Sequence, residues 1–290
     1  MLNKIKGALY GFAIGDALGG TTEFLTKEEI KKKYGAVTEI LGGGAWKLEK
    51  GETTDDTAMT LAVARGILQK PDDPIEAIGD EFLNWYRSRP KDVGIIISTV
   101  LGIYDGDWNE AARRAHYQFL DGRSAGNGSL MRCLPVALAY GNLETVEDIT
   151  RKQSRMTHYD MLAEEACVIY NRIAFKVLHG SALKQAIKEE ITGTIFEEIL
   201  DGRKPGNNPD GFVVHTMNWV LYWLLNNDNY LDVVVGAANE GYDTDTIAAI
   251  AGGLAGLESG FEELPEGLWR EILDKHLIDE VSIKLYKLLM

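Results

Sequence analysis

Four glycines recur at four-residue intervals near the start of the chain: Gly7, Gly11, Gly15 and Gly19. In an α-helix, residues four apart stack on one face. A helix over residues 3–19 therefore carries a stripe without side chains, along which another backbone can approach closely. In a bilayer such a stripe drives helix pairing. Here Asp16 interrupts the apolar stretch and the segment is short, so tight packing in a soluble core is the expectation. A second small-residue run, Gly252-Gly253-Leu-Ala-Gly256, follows no strand and lies inside a helical pattern. Close helix packing is expected there rather than dinucleotide binding.

Helical periodicity dominates the rest of the chain. Thr26-Lys-Glu-Glu29 reads as a capping box whose helix stops near Gly35. Residues 36–52, with Gly42-Gly43-Gly44 and Gly51, read as a loop carrying a short hairpin. A helix is expected over 55–68. Another is expected from an Asp73 N-cap, with Pro74 at its first position, through Tyr86. Further helical patterns cover 94–104, 108–119, 128–140, 143–155, 160–178, 181–190, 212–226, 229–240, 245–258 and 267–288. The β-branched runs Ile95–Ile97 and Val233–Val235 each sit inside one of them. No Pro-, Ser- or Gly-rich linker divides the chain, and Asp201–Gly211 is too short to be a boundary. The expectation is a single all-α domain spanning residues 1–290.

A chain of 290 residues buries roughly 75% of its unfolded surface, so its core needs no covalent staple. The two cysteines, Cys133 and Cys167, form no C-x-x-C, which excludes a disulfide scaffold and a Cys-rich zinc site; a reduced pair is expected. The longest run of apolar and glycine residues, Ile247–Leu257, is too short for a bilayer. No clean cleavage site follows the opening residues, so a cytoplasmic protein is expected. The net charge of −14 repels phosphate backbones and anionic lipid, so neither nucleic acid nor membrane is an expected partner.

Some of that acidity stands in two unusual places. Thr53-Thr54-Asp55-Asp56-Thr57 precedes one helical run, and Asp243-Thr244-Asp245-Thr246 precedes another. Each taken alone reads as helix capping, with carboxylates at the positive end of the helix dipole. Each also offers only oxygen ligands, which suits Mg²⁺, Mn²⁺ or Ca²⁺ rather than zinc. An EF-hand is excluded, because Ala248 stands where its glycine belongs and Leu254 where its glutamate belongs. If the two turns met, four carboxylates would crowd together and would need cations to offset their repulsion.

Ser124-Ala-Gly-Asn-Gly-Ser-Leu-Met-Arg132 reads either as a loop with an Asn-Gly turn or as an anion cradle at a helix start. It is not a P-loop, since no Gly-Lys-Ser/Thr follows. Thr157-His158 is either structural or functional, and the histidine spacing supports no zinc motif. No G-x-S-x-G elbow is present for Ser/His/Asp hydrolysis.

Taken in order, five motifs carry more weight than any one. They are Gly7-Ala-Leu-Tyr-Gly-Phe-Ala-Ile-Gly-Asp16-Ala-Leu-Gly with Glu23-Phe24, then Gly51-Glu-Thr-Thr-Asp-Asp-Thr-Ala-Met59, then Asn127-Gly-Ser-Leu-Met-Arg132 with Thr157-His158, then Gly211-Phe-Val-Val-His-Thr216, and finally Asp243-Thr-Asp-Thr246. This set resembles the ADP-ribosylglycohydrolase family over roughly residues 5–260. The resemblance implies an all-α orthogonal helical bundle with two divalent cations, Mg²⁺ or Mn²⁺. It matches Thr54, Asp55 and Asp56 to one ligand set and Asp243, Asp245 and Thr246 to the other. Glu23 matches a mobile acidic residue near the reacting ribose. Asn127, Gly128 and Ser129 match the loop that holds ADP-ribose, and His158 matches a residue of the same cleft. Tyr242, Phe212 and His215 depart from the family pattern (glycine, tyrosine and an acid, respectively); all three flank the expected site, with Phe212 and Tyr242 expected against the substrate.

The implied reaction is metal-dependent hydrolysis of the N-glycosidic bond of ADP-ribosyl-arginine on a protein, releasing ADP-ribose from a monomeric enzyme. Glu23, Asp55, Asp56 and Asp243 are the candidate acid, base and ion-holding groups. Two other readings stay open: an inactive ADP-ribose-binding or structural protein of the same fold, and a metal phosphohydrolase acting on nucleotides.

Overall fold

Fifteen α-helices and no β-strand build the protein, whose computed structural model describes residues 1–290. Helices α1 (Leu2–Gly19) and α2 (Lys27–Tyr34) precede a long loop, then come α3 (Asp55–Gln69), α4 (Ile75–Arg87), α5 (Ile95–Ile103) and α6 (Trp108–Arg114). The chain continues through α7 (Leu134–Ala139), α8 (Leu143–Arg155), α9 (Met161–Leu178), α10 (Leu183–Ile191), α11 (Val213–Asn226) and α12 (Tyr230–Ala238). It ends with α13 (Thr244–Ser259), α14 (Glu266–Trp269) and α15 (Lys275–Leu289). The all-α bundle expected from the periodicity is the one observed. No helix is long and apolar enough to cross a membrane.

Local signals explain most boundaries. Thr26 and Glu29 exchange both bonds of a capping box, and Gly35 ends α2 in a positive-φ conformation. The loop after α2 holds one antiparallel bridge, Gly43 to Leu48, in place of a hairpin. Four expectations shift. Pro74, not Asp73, is the residue flanking α4, and no side chain caps that helix. The pattern at 108–119 leaves the α-helix after Arg114 and finishes as a π-helical turn, Ala115–Phe119. The pattern at 128–140 is divided: a 3₁₀ turn at Asn127–Ser129, then α7 from Leu134, with Pro135 in its first turn. The last pattern, 267–288, is likewise split between α14 and α15.

The glycine stripe of α1 packs against α13, and the two helices run antiparallel. A Cβ at Gly7 would lie 2.2 Å from the Gly256 carbonyl oxygen, and one at Gly11 2.4 Å from that of Gly252. A Cβ at Gly15 would lie 2.1 Å from the Ala248 oxygen, and one at Gly19 2.4 Å from the Asp245 Cα. Gly252 and Gly256 need the same absence in return, against the carbonyls of Gly11 and Gly7. The two glycine motifs are thus halves of one seam. Both helices are buried on every side, α1 from Gly7 to Gly19 and α13 from Thr244 to Leu257. One apolar cluster surrounds them, running from Ile5 to Leu285.

The seam sets the geometry of everything beyond it. It delivers the end of α1, and Thr21–Glu23 behind it, to the start of α13. Thr22 and Thr244 lock the junction: each hydroxyl donates to the Gly19 carbonyl, at 3.0 and 2.9 Å. Asp16, fully buried in α1, reaches sideways to the start of α3. Its carboxylate accepts from the Thr54 N–H at 2.9 Å and from the Thr57 N–H and hydroxyl at 3.0 and 2.5 Å. One buried acid therefore ties the first acidic turn to the helix that already carries the second.

Candidate active site

The two acidic turns meet. The Thr246 hydroxyl, at the start of α13, donates to Asp56 Oδ2 at 3.2 Å, and Thr54 donates to the same oxygen at 3.2 Å. Thr54 also caps α3 by accepting from the Asp56 N–H. Asp243 precedes α13 but makes no capping bond. Its Oδ2 instead accepts from Asn127 Nδ2 at 2.7 Å, across the site. Glu23, Asp243 and Asp245 place one carboxylate oxygen each within 4.8 Å of one another.

This cluster forms one side of a cavity of about 830 Å³, a size within the ordinary range for small-molecule sites. Glu23, Asp55, Asn127, Gly128, His158, Tyr242, Asp243, Asp245 and Thr246 line it. Asp56 and Thr54 sit just behind, bonded to the lining as described. Two expected substrate contacts do not reach the wall. The Ser129 side chain is fully buried and bonds Ser154 at 2.9 Å and Cys167 at 3.5 Å, because the 3₁₀ turn rotates it into the core. The Phe212 ring packs edge-on against His215, 4.9 Å between centroids, outside the cavity. The backbone there does serve the loop: Asn127 N–H donates to Gly211 O and Val213 N–H to Ala125 O, both at 3.0 Å.

The electrostatics are one-sided. Burial first, then neighbouring carboxylates, hold the pKa values of Asp55, Asp56 and Asp245 well above the usual range. Burial likewise raises Asp243, against the bond from Asn127 that favours its charged form. Glu23 is pushed to about 9 by burial and by Asp92 and Asp243. No Lys or Arg forms an ion pair with any of these groups. Asp56 Oδ1 and Asp245 Oδ1 are buried without a hydrogen-bond partner. Buried carboxylates without donors or counter-ions are costly, and hard cations with oxygen ligands are what would satisfy them. The donor set, carboxylates and threonine hydroxyls, fits such ions.

Among the lining residues that escaped the sequence reading, two bear on the acidic cluster. Asp92 stands in the loop before α5, where burial and the charges of nearby acids raise its pKa to about 7. Its only signal was an acid two residues ahead of the glycine that opens a helix. Trp46, at the tip of the glycine-rich loop, donates its indole N–H to Glu23 Oε2 at 2.6 Å. Nothing in the sequence pointed to that contact.

His158 lines the same cavity behind the Asn-Gly turn and is almost wholly buried, at 1% exposure. Burial, then the charge of Arg132, depress its pKa well below the usual value, so the ring is neutral. The Thr157 hydroxyl accepts from Arg132 Nη2 at 2.8 Å and lies 2.7 Å from His158 Nδ1. With the hydroxyl proton directed at Nδ1, the ring proton belongs on Nε2. A Cβ on Gly126 or Gly128 would come within 3.3 Å of that nitrogen, so the Asn-Gly turn lies directly over the ring.

The comparisons with known proteins agree on one group. The family model for ADP-ribosylglycohydrolase matches residues 1–289. An ADP-ribosyl-[dinitrogen reductase] glycohydrolase of Rhodospirillum rubrum is 35% identical over 281 residues, covering 96% of this chain and 93% of the relative. An ADP-ribosylarginine hydrolase, Tri1, of Serratia proteamaculans is 26% identical, covering 98% of this chain and 79% of the relative. A solved structure described as an ADP-ribosylglycohydrolase-related protein complex superposes with a TM-score of 0.86 at 29% identity, over 100% of this chain and 99% of that one.

Proposed function

The chain belongs to the ADP-ribosylglycohydrolase family, and from that premise we propose that it removes ADP-ribose from ADP-ribosylated arginine on a protein, using two divalent cations, Mg²⁺ or Mn²⁺. The observation that carries this reading is the set of six crowded carboxyls, Glu23, Asp55, Asp56, Asp92, Asp243 and Asp245, gathered without a counter-ion at one side of a large cavity. Arginine as the acceptor rests on the name of one relative, the ADP-ribosylarginine hydrolase of Serratia proteamaculans.

Thr54, Asp55, Asp56, Asp243, Asp245 and Thr246 would hold the ions. Bound there, the ions would supply positive charge to orient the ribose hydroxyls and acidify water. The chain's own groups do the rest. The Asn127–Gly128 turn, backed by His158, receives the ADP-ribose. Cleavage of the bond from C1″ to the guanidine nitrogen builds oxocarbenium character at C1″. The departing guanidine takes a proton, and the attacking water gives one up. Glu23, Asp55, Asp56 and Asp243 are the carboxyls through which these two protons would move.

The test is release of ADP-ribose from ADP-ribosyl-arginine protein with Mn²⁺ or Mg²⁺, the products identified by mass spectrometry. A panel of arginine-, serine- and nucleobase-linked substrates assigns the acceptor. Tight ADP-ribose binding without release from any of them would leave a reader of the modification and end the hydrolase reading.

A further inference from the structure

Glu23 accepts one side-chain hydrogen bond within the protein, and it comes from Trp46. We propose that Trp46 is a positioning residue for Glu23 in the hydrolysis, an inference that rests on the reading above. An indole N–H can donate but not accept. By occupying Oε2 at 2.6 Å it selects one orientation of the carboxyl and leaves Oε1 as the oxygen available to a reacting group.

The donor is built into place. Trp46 lies at the tip of a turn closed by two bonds between Gly43 and Leu48, both 2.8 Å. That turn is pressed onto the end of α1: a Cβ on Gly44 would lie 2.1 Å from the Gly20 carbonyl oxygen. The Thr21 hydroxyl donates to Gly42 O at 3.1 Å. Residues 20–23 and the turn therefore move as one piece, with the indole held against the carboxyl two positions past Thr21. The Phe24 ring meets the Trp46 ring edge-on, 6.0 Å between centroids, on the outer side. Trp46, Phe24 and Glu23 all line the cavity. A tryptophan serving only to fill the rim would not need its nitrogen aimed at an acid on the cavity wall.

The experiment is a double-mutant cycle on ADP-ribosyl-arginine hydrolysis, with Trp46→Phe, Glu23→Gln and both together. Phenylalanine keeps an aromatic ring and removes the donor. Trp46→Phe is expected to lower kcat by roughly tenfold with KM and ADP-ribose affinity nearly unchanged. In the Glu23→Gln background the same change is expected to have no further effect, because the two residues act as one. Replacing Trp46 by benzothienylalanine, which keeps the bicyclic shape and puts sulfur where the N–H was, should reproduce the Trp46→Phe loss. Effects that multiply in the double mutant, a change confined to KM, or full activity in the benzothienylalanine protein would each overturn the assignment. A wild-type chain without turnover on any acceptor would instead overturn the hydrolase reading itself, so the two failures are distinct.

Discussion

Phe24 donates its backbone N–H to the carbonyl of Tyr242 at 2.8 Å, and Tyr242 returns a bond to Leu25 O at 2.7 Å. Both aromatic residues hold a left-handed backbone, each at φ 63°. One directly follows Glu23 and the other directly precedes Asp243. This backbone clip sets the spacing of two carboxylates of the cluster, and its conformation explains why glycine is at home at position 242.

A left-handed conformation costs a non-glycine residue roughly 1–2 kcal/mol. Tyr242→Gly should therefore stabilise the protein, by about 1 kcal/mol after glycine's greater unfolded-state entropy is included. The tyrosine ring at the cavity rim is lost, so KM should rise while kcat changes little. Denaturant unfolding and steady-state kinetics on the same preparation check both. A loss of stability would mean that the ring, not the backbone pair, holds the clip.

Gly15→Ala drives a methyl group to 2.1 Å from the Ala248 carbonyl oxygen, where both partners are helix backbone. The seam must open, and a loss of about 3 kcal/mol or more is expected. Gly102, inside α5, has no heavy atom within 4 Å of the same construction, so Gly102→Ala should gain about 0.5–1 kcal/mol from helix propensity. Urea midpoints of the two variants should move in opposite directions.

Asp245→Asn removes one carboxylate from the cluster and, on the proposed reading, one ligand of the ions. In chelator this variant should melt above the wild type, because the buried carboxylates repel. In the wild type, Mn²⁺ or Mg²⁺ at about a hundred times its Kd should add roughly 2.7 kcal/mol. That gain should be largely absent from the variant, and so should activity. A variant that melts lower in chelator and still gains fully from metal would contradict the electrostatic account.

The chelated wild type should also respond to pH. Burial raises Asp16 to about 6, Asp92 to about 7 and Glu23 to about 9, each above its ordinary value. A carboxyl whose folded-state pKa lies above the unfolded one favours folding fully below the unfolded value and loses that contribution as pH rises through the folded value. Denaturant midpoints in chelator should therefore fall between about pH 5 and about pH 9. Mg²⁺ or Mn²⁺ should flatten the slope, since bound cations favour the ionised carboxylates. A midpoint that climbs over this range in chelator would show that the cluster is not desolvated as described.

What the sequence disclosed follows from what each contact asks of residue type. Backbone crowding along the seam admits only glycine or alanine, so both halves of it were visible as spacing. Asp55, Asp56, Asp243 and Asp245 stood out because acids at the head of a buried helix are conspicuous. Their meeting was not readable: the α1–α13 pairing joins distant segments, and spacing within one segment says nothing of its partner. Asp92 looked like an ordinary loop acid, and Trp46 like a lone aromatic among glycines, because each acquires its role only through a neighbour far away in the chain. Ser129 and Phe212 had the reverse problem. Their motif placed them beside the cavity, but a 3₁₀ turn and a local ring contact direct their side chains elsewhere.

The antiparallel seam also fixes when the centre can exist. Its first helix, α1, is synthesised long before its second, α13. Throughout translation α1 waits with a bare glycine groove, and Glu23 and Asp55 are held apart from Asp243 and Asp245. The carboxyl cluster and its cavity are therefore complete only once α13 has joined α1.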